Sequence, residues 1–225
     1  MQSIILDNVL NVRDIGGYNS DLGKIKYNTI IRGQVPYNIS NYDKSILSDM
    51  NLEVIDLRTE EEKKQKKSYF YNEYNDINLK RTRWPKTEKE IPYTYIEVLE
   101  DYSNVRKILE IILESKKTIY INCNLGKDRT GVIIMLIMLL CHVKEEDIIA
   151  DYTLSDIYLR KNYLEFHEKN KRYPKYLGRA KPEYIEKTLE IFKKKYGNIN
   201  CYMKVIGISP IQQQILQEKL IIKNE

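Results

Sequence analysis

Up to residue 123, short apolar runs alternate with helical stretches; beyond 131 the apolar spacing is mainly helical. Residues 24–32 read as a strand that follows a turn at Asp21-Leu22-Gly23. Residues 52–57 and 119–123 are short apolar runs that fit buried strands, and 76–81 predicts a further strand. Ser40 can cap a helix over 41–50. Ile96, Leu99, Val105, Ile108, Leu109 and Ile112 give 95–114 a mostly helical spacing. Further helices are predicted at 130–141, 145–152, 155–170, 182–196 and 210–222, with Pro182 near the start of one and Gly197 just after its end. Strands alternating with helices, then helices alone, predict an α/β fold: a sheet covered on both faces and a helical C-terminal part. With 225 residues, no internal repeat and no Gly/Pro-rich linker, one domain over 1–225 is expected.

Composition narrows the chemistry. Hydrophobic residues at 42% and charged residues at 31% exclude a disordered chain. Cys123, Cys141 and Cys201 show no paired spacing, which argues against a disulfide framework and for a reducing compartment. His142 and His167 are the only histidines, so neither a metal site nor a cofactor is expected. The first residues lack a basic stretch and carry only a short apolar one, so no secretory signal is read and a cytoplasmic location is expected. The longest apolar run, 132–141, is about half the ~20 residues of a bilayer span. The net charge of +5 suits an anionic substrate, while no nucleic-acid-binding module accompanies it. Lys63-Lys64-Gln65-Lys66-Lys67 reads as a solvated helix face after Glu60-Glu61-Glu62, with phospholipid headgroup docking as the alternative.

The chemistry concentrates at 123–131, CNLGKDRTG, between a predicted strand and a predicted buried helix. Five residues separate Cys123 from Arg129. Asn124, Leu125, Gly126, Lys127 and Asp128 can curl so that backbone N–H groups converge on an anion, aided by the positive end of the following helix. Gly126 permits the backbone conformation this needs. Arg129 offers a planar fork for two phosphate oxygens. The same positive surroundings favour a thiolate at Cys123, which can attack phosphorus and form a cysteinyl-phosphate. Thr130 can donate its hydroxyl to the sulfur. Alone, Cys123 would read as a small buried hydrophobe; three charged residues at a helix start call for a bound anion. A nucleoside-triphosphatase loop does not fit, because Ile121 stands where its first glycine is needed.

Residues 123–131 resemble the signature loop of the cysteine-dependent protein tyrosine phosphatases. The GKDRTG ending is similar to a bacterial tyrosine and dual-specificity branch that also accepts phosphoinositides. Segments 11–18 (NVRDIGGY), 30–33 (IIRG), 54–58 (VIDLR) with Glu61 after it, and 147–152 (DIIADY) resemble that family in the right order, as do Tyr196-Gly197 and Tyr202. The resemblance implies a central mixed sheet flanked by helices, and a phosphorylated protein or a phosphoinositide as substrate. It also implies that Lys127 tolerates phosphoinositides.

Two positions depart from the pattern. Asn122 precedes the cysteine where the family usually has histidine. Trp84-Pro85 is followed by Lys86, where many members have the aspartate that protonates the leaving oxygen. Asp128 is the nearest replacement acid, with Glu88 and Glu90 as more distant options; its alternative role is structural. Lys127 is read as a contact to a second phosphate or as strengthening the field on the thiolate, with a solvated loop lysine as the alternative. Asp56 with Arg58, and Arg13 with Asp14, are read as structural pairs. A weakly catalytic phosphate-binding module and a sulfur-transferring loop are the competing functions.

Overall fold

The computed structural model describes residues 1–71, 73–79 and 83–223. Its strands are Gln2–Ser3 (β1), Arg13–Asp14 (β2), Asn19–Ser20 (β3), Gly23–Ile25 (β4), Ile30–Gln34 (β5), Leu52–Asp56 (β6), Tyr74–Asp76 (β7), Thr118–Cys123 (β8) and Ile221–Ile222 (β9). Its helices are Asn41–Asp49 (α1), Glu60–Gln65 (α2), Ile91–Leu99 (α3), Tyr102–Glu114 (α4), Asp128–Leu140 (α5), Glu145–Tyr158 (α6), Arg160–Lys169 (α7), Pro182–Tyr196 (α8), Ile199–Val205 (α9) and Pro210–Leu220 (α10).

The main sheet is mixed and six-stranded, in the order β1-β2-β5-β8-β6-β7. β8 lies inside it, parallel to both β5 and β6, while β1 and β2 run antiparallel at one edge. Side chains alternate across it as strand geometry requires. Tyr120, Ile31 and Val54 face one side, with Leu47 of α1 and the N-terminal Leu6, Val9 and Val12. Ile119, Ile121, Ile30 and Ile55 face the larger core, built with α3, α4, α5 and α8. Almost every residue of α5 from Thr130 to Leu140 is buried, so a helix apolar all round stands directly behind β8. The expected mixed sheet, flanking helices and helical C-terminal part are all present.

Capping fixes the start of α1. Ser40 Oγ accepts from Asp43 N (3.0 Å) and the Asp43 carboxylate accepts from Ser40 N (3.3 Å). That carboxylate also accepts from Asp7 N (2.6 Å) and Asn8 N (3.0 Å), docking the N-terminal segment.

Several boundaries differ from expectation. The predicted strand over 24–32 is two strands in two sheets, because Asn28 takes a left-handed φ of 58° and Thr29 Oγ1 closes a turn onto Lys26 O (2.7 Å). β4 pairs instead with β3 and β9. The helical spacing over 95–114 belongs to two helices that break at Glu100 and Asp101. The strand expected at 76–81 ends at Asp76 and begins earlier; Lys80 and Arg81 lie outside the described residues. α6 runs on to Tyr158, and α9 and the shortest strands carry too few residues to show a period. Among the described residues no helix is long and apolar enough to cross a membrane.

Candidate active site

β8 ends at Cys123 and α5 begins at Asp128, so residues 124–127 form the whole connection. It opens at the C-terminal end of the parallel strands, where open α/β sheets place their ligands. Its carbonyls are held from below. Cys123 O accepts from Val35 N (2.9 Å), Leu125 O from Asn11 Nδ2 (3.0 Å), and Gly126 O from both Asn11 Nδ2 (3.0 Å) and Arg32 Nη2 (2.7 Å). In a trans peptide the N–H points opposite to the C=O that precedes it. The N–H groups of Asn124, Gly126 and Lys127 therefore point away from those partners, which is the arrangement of an anion nest. Gly126 sits at φ 64°, and a Cβ there would meet Gly33 O at 2.2 Å. Close approach and conformation both demand glycine.

Arg129 is gripped by Glu62 of α2, with Nη1 at 2.7 Å from Oε2 and Nη2 at 2.8 Å from Oε1. Nη1 also donates to Leu57 O (3.2 Å), and Asn124 Nδ2 donates to Glu62 Oε1 (2.5 Å). Each terminal guanidinium nitrogen carries two hydrogens, so Nη2 keeps one for an anion. Glu62 is itself locked, since it completes the capping box of α2 with Thr59. Burial pushes the Glu62 carboxyl up, but the hydrogen bonds and charge of Arg129 outweigh it and hold it at about 2. Glu61, noted in the sequence only as following the 54–58 segment, is exposed, and the contact to Arg129 comes from its neighbour Glu62. Beneath α2, Arg58 donates to both oxygens of Asp56 (Nε 2.9 and 3.1 Å, Nη2 2.7 Å) and to Lys66 O (2.7 Å), a buried buttress of the expected kind.

Asp128 is half-exposed at the mouth of the loop. Its carboxylate accepts the Tyr95 hydroxyl, which is in turn 2.7 Å from the Tyr152 hydroxyl. Burial first, then the Asp128 charge, push the Tyr95 phenol well above its ordinary range, so it stays a donor and fixes that carboxylate. Glu88 is taken by Lys181 and Tyr184, and Glu90 by Arg83 (2.5 Å). Lys86 N donates to Glu90 Oε2 (3.3 Å), so that loop turns back on itself beyond Trp84-Pro85.

Lys127 is not solvated, although it is among the residues that line the cavity. It is buried, and its Nζ donates to Leu177 O (2.7 Å) and Arg179 O (2.8 Å). It ties the loop to the segment that walls the cavity, which corrects the reading of a solvated lysine. Lys63 is likewise buried, beside Glu60 (3.2 Å) and over the Tyr74 ring, while Lys64, Lys66 and Lys67 are exposed. A solvated face therefore describes only part of that run. Thr130 Oγ1 and both polar atoms of the Asn122 amide are buried without a hydrogen-bond partner.

Above the loop lies a cavity of about 610 Å3. Cys123, Asp128 and Arg129 form its floor, with Tyr95, Trp84, Phe166 and Tyr173 among its walls. Trp84 and Phe166 each meet Tyr173 edge-on, at 6.3 and 5.0 Å between ring centres. Below the loop, Asp151 of α6 receives Arg13 (Nε, 2.9 Å) and Arg32 (Nη1, 2.5 Å), all three fully buried. Arg13 Nη1 also donates to Asn11 Oδ1 (2.5 Å). Arg13 thus behaves as the structural residue expected, and its carboxylate is Asp151. Asp14 turns instead to Gly16 N (2.7 Å) and Asn28 N (2.6 Å).

Asn11, Arg32, Glu62, Tyr95 and Asp151 support the site, and none of them carried a role in the sequence-based reading. Asn11 sits at φ 61°, a conformation asparagine tolerates, and an asparagine just before a buried Arg-Asp pair was the available signal.

Comparison with known proteins agrees with this geometry. A relative from Cupriavidus necator, named "Putative tyrosine-protein phosphatase H16_A0669", is 25% identical over 172 residues, or 68% of this chain. The aligned part spans 63% of that relative's own length. The family model described as "Tyrosine phosphatase family" matches residues 4–222. The loop from Cys123 to Arg129 lies within that match, and the chain belongs to the tyrosine phosphatase family.

Proposed function

We propose that this chain is a phosphomonoester hydrolase of the protein tyrosine and dual-specificity type, working through Cys123. The observation that carries this is the cavity floor. A cysteine at the end of the central strand lies under a loop whose N–H groups turn toward one side, with an arginine and a carboxylate at its mouth.

A phosphate monoester binds with its non-bridging oxygens on the loop N–H groups and the free edge of Arg129. The Cys123 thiolate attacks phosphorus as the bond to the leaving oxygen breaks. Asp128 gives its proton to that oxygen. In the second step water attacks the cysteinyl-phosphate and Asp128 takes up its proton. Inorganic phosphate and the thiolate are released. Asp128 then supplies what Lys86 cannot, from a position fixed by Tyr95.

Aromatic walls suit the ring of a phosphotyrosine, and the breadth of the cavity extends the range to phosphoserine, phosphothreonine and phosphoinositide headgroups. A reducing cytoplasm keeps such a thiol competent. The test is Cys123→Ser, assayed on a phosphotyrosine peptide, a phosphothreonine peptide and an inositol phosphate. Hydrolysis of all three should fall to background. Full activity in the variant would exclude the mechanism, and binding without turnover in the parent chain would exclude the enzyme.

A further inference from the structure

Among the described residues, the buried and half-buried cations around the loop each have a carboxylate of their own, except beneath it; Lys66 and Lys169, which also line the cavity, are exposed. Arg129 has Glu62 (2.7 Å), Lys127 has Asp128 (3.4 Å) and Arg58 has Asp56 (2.7 Å). Arg13 and Arg32 share the single carboxylate of Asp151. Two guanidiniums against one carboxylate leave a net positive charge in a fully buried place. An uncompensated buried charge is costly, so a fold that keeps one uses it.

Arg13 is saturated: its remaining donors reach Asn11, Asp151 O (2.7 Å) and Ser155 Oγ (3.3 Å). Arg32 is not. It gives Nη1 to Asp151 and Nη2 to Gly126 O, and its Nε is buried without a partner. Burial, and Arg13 beside it, pull the Arg32 guanidinium down to about 10 against the opposing pull of Asp151, which still leaves it charged at neutral pH. The thiol faces it from the neighbouring strand, for β5 pairs Arg32 with Ile121 and Gln34 with Cys123. Asn122, between them on β8, is neutral and its amide makes no bond that could take over this task.

We propose that Arg32 is a positioning residue for the Cys123 thiolate: it turns the loop by pinning the Gly126 carbonyl and supplies the unbalanced positive charge beneath the sulfur. By holding that carbonyl down, Arg32 aims the Lys127 N–H the other way. Arg32 can serve so only if Cys123 reacts as proposed above, and protonation of the sulfur is measurable without turnover.

The other groups facing Cys123 are accounted for. On the loop these are Lys127, Asp128 and Arg129, and from α2 Glu62, all paired as above. Asp56 and Arg58 of β6 form a closed pair. Tyr120 of β8, Tyr95 of α3 and Tyr152 of α6 are phenols that burial raises and keeps neutral. Tyr18 is raised chiefly by burial as well, and Asp147, one turn before Asp151, acts on it.

The test is the rate of Cys123 alkylation by iodoacetamide against pH, read on the Cys123 peptide so that exposed Cys201 does not contribute. Cys141 stays silent, because burial pushes it up to about 12. Arg32→Met should raise the midpoint by about one pH unit, lowering the alkylation rate roughly tenfold at pH values well below the midpoint. Asp151→Asn removes the one carboxylate that pairs with Arg13 and Arg32 among the described residues and should lower the midpoint. General damage would move both variants the same way, and that result, or no movement in either, overturns the proposal. If neither variant folds, the parent chain decides. Raising salt from about 0.05 to 0.5 M should leave its midpoint in place, since buried charge is screened little. A midpoint that climbs as salt is raised would assign the field to surface cations and overturn the proposal.

Discussion

The two sides of the Cys123 loop are built differently. Below it, Asn11, Arg13, Arg32 and Asp151 are buried, and the carbonyls of Cys123, Leu125 and Gly126 each have a named donor. Above it, Trp84 is 56% exposed and α7 buries none of its residues. The upper wall is tied down by the Lys127 bonds to Leu177 O and Arg179 O, and by Tyr176 donating to Pro85 O (3.0 Å). Densely bonded, desolvated parts of a fold open least, and sparsely packed, solvent-exposed ones open most easily. The loop proposed to capture phosphate is thus the rigid part of the site, and the walls above it are the adjustable part.

The largest effect that sharpens this contrast belongs to the floor. Asp128→Asn should lower kcat on an alkyl phosphate by about 10²–10⁴-fold. An activated aryl phosphate, whose leaving group needs no proton, should lose far less. Equal losses on both would give Asp128 a structural role only. Glu62→Gln comes next, because it frees Arg129 and Asn124 together. Stability should fall by about 1–3 kcal/mol, the scale of hydrogen bonds to a charged group. The pH dependence has a definite sign. The Glu62 carboxyl lies at about 2 in the fold, since Arg129 outweighs the upward push of burial, against about 4.3 when unfolded. Its stabilisation is therefore complete above about pH 4.3 and is lost as the pH falls toward 2. Thermal melts across that window should show the loss in the parent chain and a smaller one in Glu62→Gln.

The upper side should respond in KM. Lys127→Met should raise KM about tenfold, the equivalent of one charge-assisted hydrogen bond. It should do so alike for an aryl phosphate and an inositol polyphosphate, and should speed proteolysis within 170–181. A loss confined to the polyphosphate would mean that Lys127 touches a second phosphate instead. Tyr176→Phe should do least, costing about 1 kcal/mol or less of wall stability and changing KM within about threefold.

Local signals carried the loop and its strand and helix, because Cys123, Gly126 and Arg129 act within one turn of chain. The capped α1 was legible for the same reason: Ser40 and Asp43 are three residues apart. The supporting residues were not. Arg13 meets Asp151 across 138 positions, and Lys127 meets Leu177 across 50, and no spacing rule reaches that far. The Glu62–Arg129 contact spans 67 positions, and a run of three glutamates offers no local means of deciding which of them points at Arg129. Short strands such as β1 and β9 owe their existence to their partners and leave no period to read.

The most direct measurement is a rapid acid quench during turnover of a phosphotyrosine peptide, followed by mapping of the trapped phosphate. Phosphate should be found on Cys123, and should accumulate when the second step is slowed in Asp128→Asn with an activated aryl substrate. Turnover at full rate with no phosphate ever trapped on Cys123, or with phosphate on another residue, would contradict nucleophilic catalysis by this loop.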